Sequence, residues 1–407
     1  MIKFKNIFVI LMVVIVTATF IIRDTFAAKP AETSLNTKNL SSSTLHEGAS
    51  SSLTENPSVI LAGYYTAWSA YSGFTPDQID SAKLTHISYA FANIGPDLTV
   101  QMGYPDIDPQ NFQLLNGLKK KNPKLKTLIS IGGWTWSGRF SDAARTDKSR
   151  KEFAKSCIAF IKQHGFDGVD IDWEYPVSGG MPSNRTRPED KQNFTLLLKT
   201  LREALNEQGA ADQRQYLLTI AGGAGSSFAR NSELSQIHKY LDFATIMTYD
   251  FHGPWDKYTD FLSPLYTDKN PSPQYQASFD TAVTAWVNAS FPSEKLVAGI
   301  PFYGYVYQTS GEKNNGLFQS FSIAKAIPYR KIAESYEKNP AYMRFFHSQA
   351  KVPWLYNGSH FISYEDKESI SYKSQYIKSK NLAGAMVWEL SQDKNDTLLN
   401  ALIEGFK

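Results

Sequence analysis

An alternation of short apolar segments with amphipathic helical patterns constrains the fold more than any other feature of this sequence. Eight segments of strand length are rich in β-branched and aromatic residues: Val59–Tyr65, Thr85–Ala92, Leu125–Ile131, Gly168–Trp173, Leu217–Ala221, Phe243–Thr248, Leu296–Pro301 and Ala383–Trp388. Helical patterns lie between them, for example at Pro109–Lys121, Ser149–His164, Lys191–Gln208 and Gln276–Ala289. The alternation predicts an α/β fold, the (β/α)8 TIM barrel.

The main alternative is a doubly wound open sheet. That fold places a glycine-rich phosphate loop after its first strand. Here the first strand is followed by Thr66-Ala67-Trp68, and the strand itself ends Gly63-Tyr64-Tyr65, so no such loop is present. The sequence therefore favours the closed barrel over residues 58–407.

The connection between the seventh and eighth strands is too long for a single helix. It contains an Asn357-Gly358 turn between Val352–Tyr356 and His360–Tyr364, which is a β-hairpin signal. We therefore predict a small α+β insertion at residues 306–371.

The amino-terminal segment is typical of an exported protein. Two lysines precede the apolar run Ile7–Ile22, and small residues follow it, so residues 1–28 are predicted to be a secretory signal. The alternative is an uncleaved membrane anchor, for which the run is short. Residues 29–57 are Ser/Thr-rich and are predicted to be a flexible linker. We expect an extracellular or periplasmic monomer without stable membrane association once the signal is cleaved.

Charge and composition exclude several classes of function. The chain has a formal charge of +3, and its first 27 residues contribute three cations against one anion, so the remainder carries no basic block that would indicate nucleic-acid binding. The single cysteine, Cys157, cannot form a disulfide within the chain and is predicted to be buried in a helix. No His-x-x-x-His pair is present, and neither a metal nor a cofactor is predicted.

The segment Asp167-Gly-Val-Asp170-Ile-Asp172-Trp-Glu174 crowds four acids into eight positions. Residues two apart share a face of a strand, so three of them are expected to point into the barrel while Asp167 lies on the other parity as a structural residue. Asp170 and Asp172 are close enough to share a proton. Glu174, beside that charge and among aromatic residues, should have a raised pKa and act as a general acid.

A general acid in an aromatic pocket suggests glycoside cleavage, which usually requires a second carboxylate across the bond. Strand seven supplies none, whereas Asp250 follows strand six. The other solution is attack by the acetamido oxygen of the substrate itself, with Asp172 orienting the amide.

These motifs resemble the glycoside hydrolase family 18, the chitinase family. The acid row is similar to the family's Asp-x-x-Asp-x-Asp-x-Glu signature, and Ser130-Ile-Gly-Gly133-Trp134 is similar to its second signature. Met247-Thr-Tyr249-Asp250, Phe302-Tyr303-Gly304 and Trp388 also fit over residues 58–407. Tyr305 departs from the pattern, because many relatives carry Arg there.

The resemblance implies a role for each matched residue. Glu174 would protonate the glycosidic oxygen, Asp172 would hold the acetamido group and Asp170 would share its proton, with Tyr249 as the fourth catalytic residue. Residues expected to contact the sugar are Tyr65, Phe91, Trp134, Tyr175, Met247, Asp250, Trp255, Tyr303 and Trp388. Residues expected to be structural are Asp167, Ser130, Gly132 and Gly133.

The sequence thus predicts a retaining chitinase that hydrolyses β-1,4-linked N-acetylglucosamine in chitin and its oligosaccharides. One alternative is a catalytically inactive chitin-binding lectin, which the intact acid row disfavours. The other is an endo-β-N-acetylglucosaminidase that acts on glycans or cell wall.

Overall fold

The computed structural model describes residues 59–268 and 274–407. The predicted signal at residues 1–28 and the predicted linker at residues 29–57 lie outside this part. Within the described ranges, no helix has both the length and the hydropathy required to cross a bilayer.

Eight parallel strands close into a barrel, which confirms the predicted fold class. They are β1 (Ile60–Thr66), β2 (His86–Ile94), β4 (Lys126–Gly132), β5 (Gly168–Asp172), β6 (Leu217–Gly223), β7 (Phe243–Met247), β8 (Leu296–Pro301) and β14 (Gly384–Trp388), numbered in chain order among all strands. Strand β1 pairs with both β2 and β14 and so closes the sheet. The short β3 (Val100–Met102) adds to β2 in antiparallel fashion.

A second, antiparallel sheet lies in the chain between β8 and β14. Its strands are β9 (Tyr303–Thr309), β10 (Phe321–Pro328), β11 (Met343–His347), β12 (Val352–Tyr356) and β13 (His360–Ser363), in the spatial order β10-β9-β13-β12-β11. The predicted hairpin is present, with Gly358 in the left-handed region at φ 92°. Because β9 begins two residues after β8 ends, this sheet stands beside the carboxyl end of the barrel.

Helices surround the barrel, and one short helix of the insertion, Tyr329–Ser335, packs on the second sheet instead. They are α1 (Asp108–Leu118), α2 (Gly133–Trp136), α3 (Phe140–Arg145), α4 (Asp147–His164), α5 (Asp190–Asp212), α6 (Ser226–Asn231), α7 (Leu234–Ile237), α8 (Phe279–Asn288), α9 (Tyr329–Ser335), α10 (Lys367–Ser379) and α11 (Thr397–Phe406). In α4, Thr146 and Ser149 cap each other's backbone N–H groups, and Gly165 ends the helix at φ 75°. Cys157 is fully buried in α4, as expected.

Candidate active site

Strand β5 divides its side chains between the two faces of the barrel sheet. Val169 and Ile171 belong to the hydrophobic core beneath the helices. Asp170 lies in the barrel interior, where its carboxylate accepts hydrogen bonds from hydroxyls on three other strands: Tyr64 (2.7 Å), Ser130 (2.7 Å) and Thr219 (2.6 Å). Burial raises the pKa of Asp170, and these three hydroxyls oppose the rise.

Asp172 is the next acid on the interior face and is far less satisfied. Its Oδ1 atom is buried and has no hydrogen-bond partner among the described residues. Burial, then the charge of Glu174, then that of Asp170 raise the pKa of Asp172 well above its usual value. The sharing of a proton between Asp170 and Asp172 stays a prediction, and the unpartnered Oδ1 atom of Asp172 is available to a ligand.

Glu174 follows β5 at the carboxyl end of the barrel. Its side chain is buried, and its backbone N–H donates to Ser137 Oγ at 2.9 Å. Burial raises the pKa of Glu174 from 4.5 to about 7; the Tyr175 hydroxyl opposes the rise and the Asp250 carboxylate adds to it. A buried glutamate in this range holds a proton that it can give up near neutral pH.

Two glycines allow the chain after β4 to approach the acid row. At Gly132, with φ 106°, a Cβ atom would lie 2.3 Å from the carbonyl oxygen of Asp172. At Gly133, with φ 73°, it would lie 2.6 Å from the ring of Phe91. Ser137 Oγ then donates to the carbonyl oxygen of Asp172 at 3.1 Å. Side chains at these glycines would push the loop away from β5.

Asp250 follows β7 and faces the open cleft in a left-handed conformation, φ 56°. Two neutral donors hold its Oδ1 atom, the hydroxyls of Tyr303 (2.6 Å) and Tyr305 (2.9 Å). Desolvation by the surrounding protein raises the pKa of Asp250, and the two tyrosines oppose the rise. Tyr305, the departure from the family pattern, thus supplies a hydrogen bond without adding a positive charge.

Aromatic residues line the space above the acid row. Trp388 packs against Tyr64 and Phe91 with ring centroids 5.4 and 5.8 Å apart. Trp134 and Trp255 present 44% and 54% of their surface to solvent. Four other expected site residues also lie at this end of the barrel: Tyr175, Met247, Tyr249 and Tyr303. Tyr175 and Met247 are half-buried, and the ring of Tyr303 lies 6.2 Å from that of Tyr249. Tyr249 is buried beside the carboxylates; burial raises its pKa, and the charge of Asp172 adds to the rise.

The structure corrects the assignment of Tyr65 as a sugar contact. Its side chain is 0% exposed, donates to the carbonyl oxygen of Phe74 and packs against Tyr89 on the helix side of the sheet. The preceding residue, Tyr64, is the one that enters the barrel and reaches Asp170. Strand β1 is apolar on both faces, so the sequence showed no alternation from which to assign the face.

Several aromatic residues near the cleft went unrecognised in the sequence. Trp68 meets the ring of Phe91 at 6.3 Å and that of Tyr104 at 5.9 Å, and Tyr104 meets Tyr71 at 6.3 Å. Trp68 and Tyr71 are exposed. They therefore extend the ring surface that begins at Trp388 outward along the cleft. The position of Trp68 and Tyr71 directly after β1 was the feature of the sequence from which they could have been assigned to the cleft.

Asp167, predicted to be structural, lies at the opposite end of β5. Its carboxylate accepts from the Thr127 backbone N–H at 2.9 Å and forms ion pairs with Lys119 (2.6 Å) and Arg214. Burial alone would raise the pKa of Asp167, but the contacts with Lys119, Thr127 and Arg214 outweigh it and lower the pKa. No group of three or more potential metal ligands occurs among the described residues.

Comparison with known proteins gives consistent matches. The sequence profile of the glycosyl hydrolases family 18 matches residues 60–393. Chitinase A1 of Niallia circulans is 41% identical over an alignment that covers 84% of this chain and 58% of that protein. The chain thus spans well under two thirds of that relative.

Solved structures agree with the sequence matches. Chitinase ChiA74 of Bacillus thuringiensis superposes with a TM-score of 0.81 at 38% identity and covers 86% of this chain and 69% of its own. A family 18 N-acetylglucosaminidase of Paenibacillus barengoltzii gives a TM-score of 0.78 at 38% identity, with coverage of 86% and 100%.

Proposed function

Because the chain belongs to glycosyl hydrolase family 18 and is a glycoside hydrolase, we propose that it is a chitinase that cleaves β-1,4-N-acetylglucosaminide bonds with retention of configuration. The observation that carries this proposal is the change in the surroundings of the acids along β5. Asp170 accepts three hydroxyl hydrogen bonds, whereas burial raises the pKa of Glu174 to about 7. The names of the relatives support chitin as the substrate.

Glu174 is the proposed general acid and base. Its burial keeps the carboxyl protonated near neutral pH, so that it can protonate the glycosidic oxygen as the bond breaks. Once the leaving sugar departs, the same carboxylate can take a proton from the incoming water.

Asp172 is the proposed partner of the substrate acetamido group. Its unpartnered Oδ1 is suited to accept the amide N–H, which aims the amide oxygen at the anomeric carbon. Asp170, whose carboxylate accepts hydrogen bonds from three hydroxyls, is proposed to hold either a negative charge or a proton shared with Asp172. Tyr249 is proposed to donate to the amide carbonyl, and the free oxygen of Asp250 to contact the reacting sugar.

The aromatic residues are the proposed sugar-stacking surfaces. Trp388 would form the floor beneath the reacting ring, because it packs on Phe91 and Tyr64 directly above Asp170. Trp134 and Trp255 would stack on sugars farther along the cleft. Trp68, which contacts the ring of Phe91, and Tyr71 are further candidates. No cofactor is required by this scheme.

The proposal is tested by following product anomers during hydrolysis of N-acetylglucosamine hexasaccharide by NMR. We expect initial β-anomer, whereas initial α-anomer contradicts acetamido participation. The matched substrate is the deacetylated hexasaccharide, which lacks the nucleophile and should resist cleavage. Binding of chitin without any cleavage would instead indicate the lectin alternative. Cleavage restricted to the core of glycoprotein glycans would indicate the endo-β-N-acetylglucosaminidase alternative.

A further inference from the structure

A fully buried ion pair lies between the end of the insertion and the loop that follows β7. Lys373 in α10 pairs with Glu365, which lies between β13 and α10, and their side chains are 0% and 1% exposed. Burial lowers the pKa of Lys373 and raises that of Glu365, while the attraction between the two charges opposes both shifts. Replacing such a pair by well-packed apolar residues is often neutral or stabilising, so stability alone does not account for a lysine here.

The ammonium group of Lys373 has three N–H donors, and one of them donates to Glu365. The other two donate to the carbonyl oxygen and to the hydroxyl of Ser263, each at 2.7 Å. Glu365 in turn accepts from the Ser369 hydroxyl at 2.7 Å. The lysine therefore directs two of its three donors to a residue that lies 110 positions earlier in the chain.

Ser263 carries this restraint to the residues directly after β7. We call residues 248–251 the exit segment; it contains Tyr249 and Asp250. The Ser263 hydroxyl accepts from the ammonium group and donates to the carbonyl oxygen of Thr248 at 2.6 Å. One end of the exit segment is thus linked to the buried ion pair by a chain of hydrogen bonds.

A second contact restrains the other end of the exit segment. The backbone N–H of Phe251 donates to the carbonyl oxygen of Leu262 at 3.1 Å, and the backbone N–H of Leu262 donates to Ser363 Oγ at 2.8 Å. Residues 262 and 263 therefore bind both ends of a short segment in which Asp250 adopts φ 56°. Because such a conformation is uncommon for an aspartate, it depends on contacts of this kind.

We propose that Lys373 is a positioning residue for hydrolysis, which acts through Ser263 to hold the Tyr249 hydroxyl at the correct place beside the acid row. The inference rests on the proposed function, in which Tyr249 donates to the acetamido carbonyl. A hydroxyl that must reach one atom of the substrate tolerates little displacement, because small errors in placement lower the rate strongly.

Ser263→Ala tests the inference with the smallest change. It removes the hydroxyl that links the ammonium group to the Thr248 carbonyl and retains the buried ion pair. The matched control is Ser374→Ala, which removes another buried hydroxyl, one that donates within α10 to the carbonyl oxygen of Ile370 at 2.8 Å. Rates are measured with N-acetylglucosamine hexasaccharide at a temperature at which circular dichroism shows each variant to be folded.

We expect Ser263→Ala to lower kcat about five- to tenfold, and Ser374→Ala to leave kcat within about twofold of wild type. In a Tyr249→Phe background, which lacks the hydroxyl that is positioned, Ser263→Ala should lower kcat by at most about a further twofold. Lys373→Met should lower kcat at least as much as Ser263→Ala does. Equal losses from Ser263→Ala in the two backgrounds would overturn the inference, because they would indicate a general structural effect.

Amide hydrogen exchange provides a readout that requires no substrate. Exchange of a peptide that covers residues 248–251 should be at least about fivefold faster in Ser263→Ala than in wild type, and unchanged in Ser374→Ala. Unchanged exchange and kcat in Ser263→Ala, with kcat lowered in Tyr249→Phe, would overturn the inference and leave the proposed function standing. Unchanged kcat in Tyr249→Phe would overturn both the proposed role of Tyr249 and the inference that rests on it.

Discussion

The two ends of strand β5 carry acids with opposite surroundings. At the amino end, Asp167 meets Lys119 and Arg214, and its pKa falls below the usual value. At the carboxyl end, Asp172 and Glu174 are buried without any cation within ion-pair distance in the described structure, and the pKa of each rises.

Within eight residues, the acid at one end of β5 is suited to stabilising the fold and the acids at the other end are suited to catalysis. Asp167 is ionised and attached to two cations, so it contributes to the folded state. Glu174 is costly to ionise in its buried position and therefore retains a proton. The buried position of Glu174 lowers the stability of the fold when the carboxyl ionises, but it keeps the proton that a general acid must donate.

The largest expected effect comes from removing the proton donor. Glu174→Gln should lower kcat on chitin oligosaccharides by about 10²–10⁴-fold, measured from steady-state rates. Because the folded pKa of Glu174 lies above its unfolded value, ionisation opposes folding as pH rises from about 4.5 to 7. The variant should therefore be no less stable than wild type at pH 8.

A matched control is Glu337→Gln, which removes another glutamate with a raised pKa, located in the insertion. Its kcat should remain within about twofold of wild type. Equal loss of activity in both variants would contradict the assignment of Glu174 as the proton donor.

At the other end of β5, Asp167→Asn should reduce the free energy of unfolding by about 1–3 kcal/mol while leaving kcat unchanged. Water screens part of the attraction to Arg214, because that side chain is 41% exposed. The folded pKa is lowered, so the stabilisation is present above about pH 4 and disappears as pH falls through the folded pKa. Urea titrations at pH 7 and about pH 3 measure both points.

The control for that change is Asp147→Asn, because the pair of Asp147 with Lys151 is exposed on both sides. We expect no measurable change in the free energy of unfolding, because water screens this exposed pair. Equal losses for the two aspartates would show that the contacts of Asp167 contribute no more than a surface pair.

A smaller effect is expected from the tyrosines that hold Asp250. Tyr305→Phe removes one donor, and KM should rise about fivefold, as expected for one lost hydrogen bond. The pKa of Asp250 should rise as well, and the resulting loss of its charge should lower the pKa of Glu174. Tyr307→Phe is the control, because the Tyr307 hydroxyl is buried without a partner in the described structure. Similar KM values for both variants would contradict this account.

Much of the fold followed from the sequence, because strand and helix periods are local properties. All eight barrel strands were located within two residues of their observed ends, and β8 was predicted with its observed bounds, Leu296–Pro301. The acid row on β5 was placed on the correct face because Asp170 and Asp172 alternate with Val169 and Ile171.

The contacts between strands could not be predicted, since they depend on register and distance. The sequence assigned the cleft position to Tyr65 instead of Tyr64, an error of one residue that places the side chain on the wrong face of the sheet. Strand β1 has no alternation of polar and apolar residues that would reveal the correct face. The pairing of Asp167 with Lys119 and Arg214 joins residues 48 and 47 positions apart. The tyrosine contacts of Asp250 likewise required β9 to be positioned against the barrel.

The pH dependence of kcat/KM for N-acetylglucosamine oligosaccharides tests the central claim most directly. Glu174 must be protonated to act as the acid, so activity should fall tenfold per pH unit above a pKa of about 7. A descending limb near 4.5, the ordinary value for a glutamate, would contradict the claim that burial at the carboxyl end of β5 holds the catalytic proton.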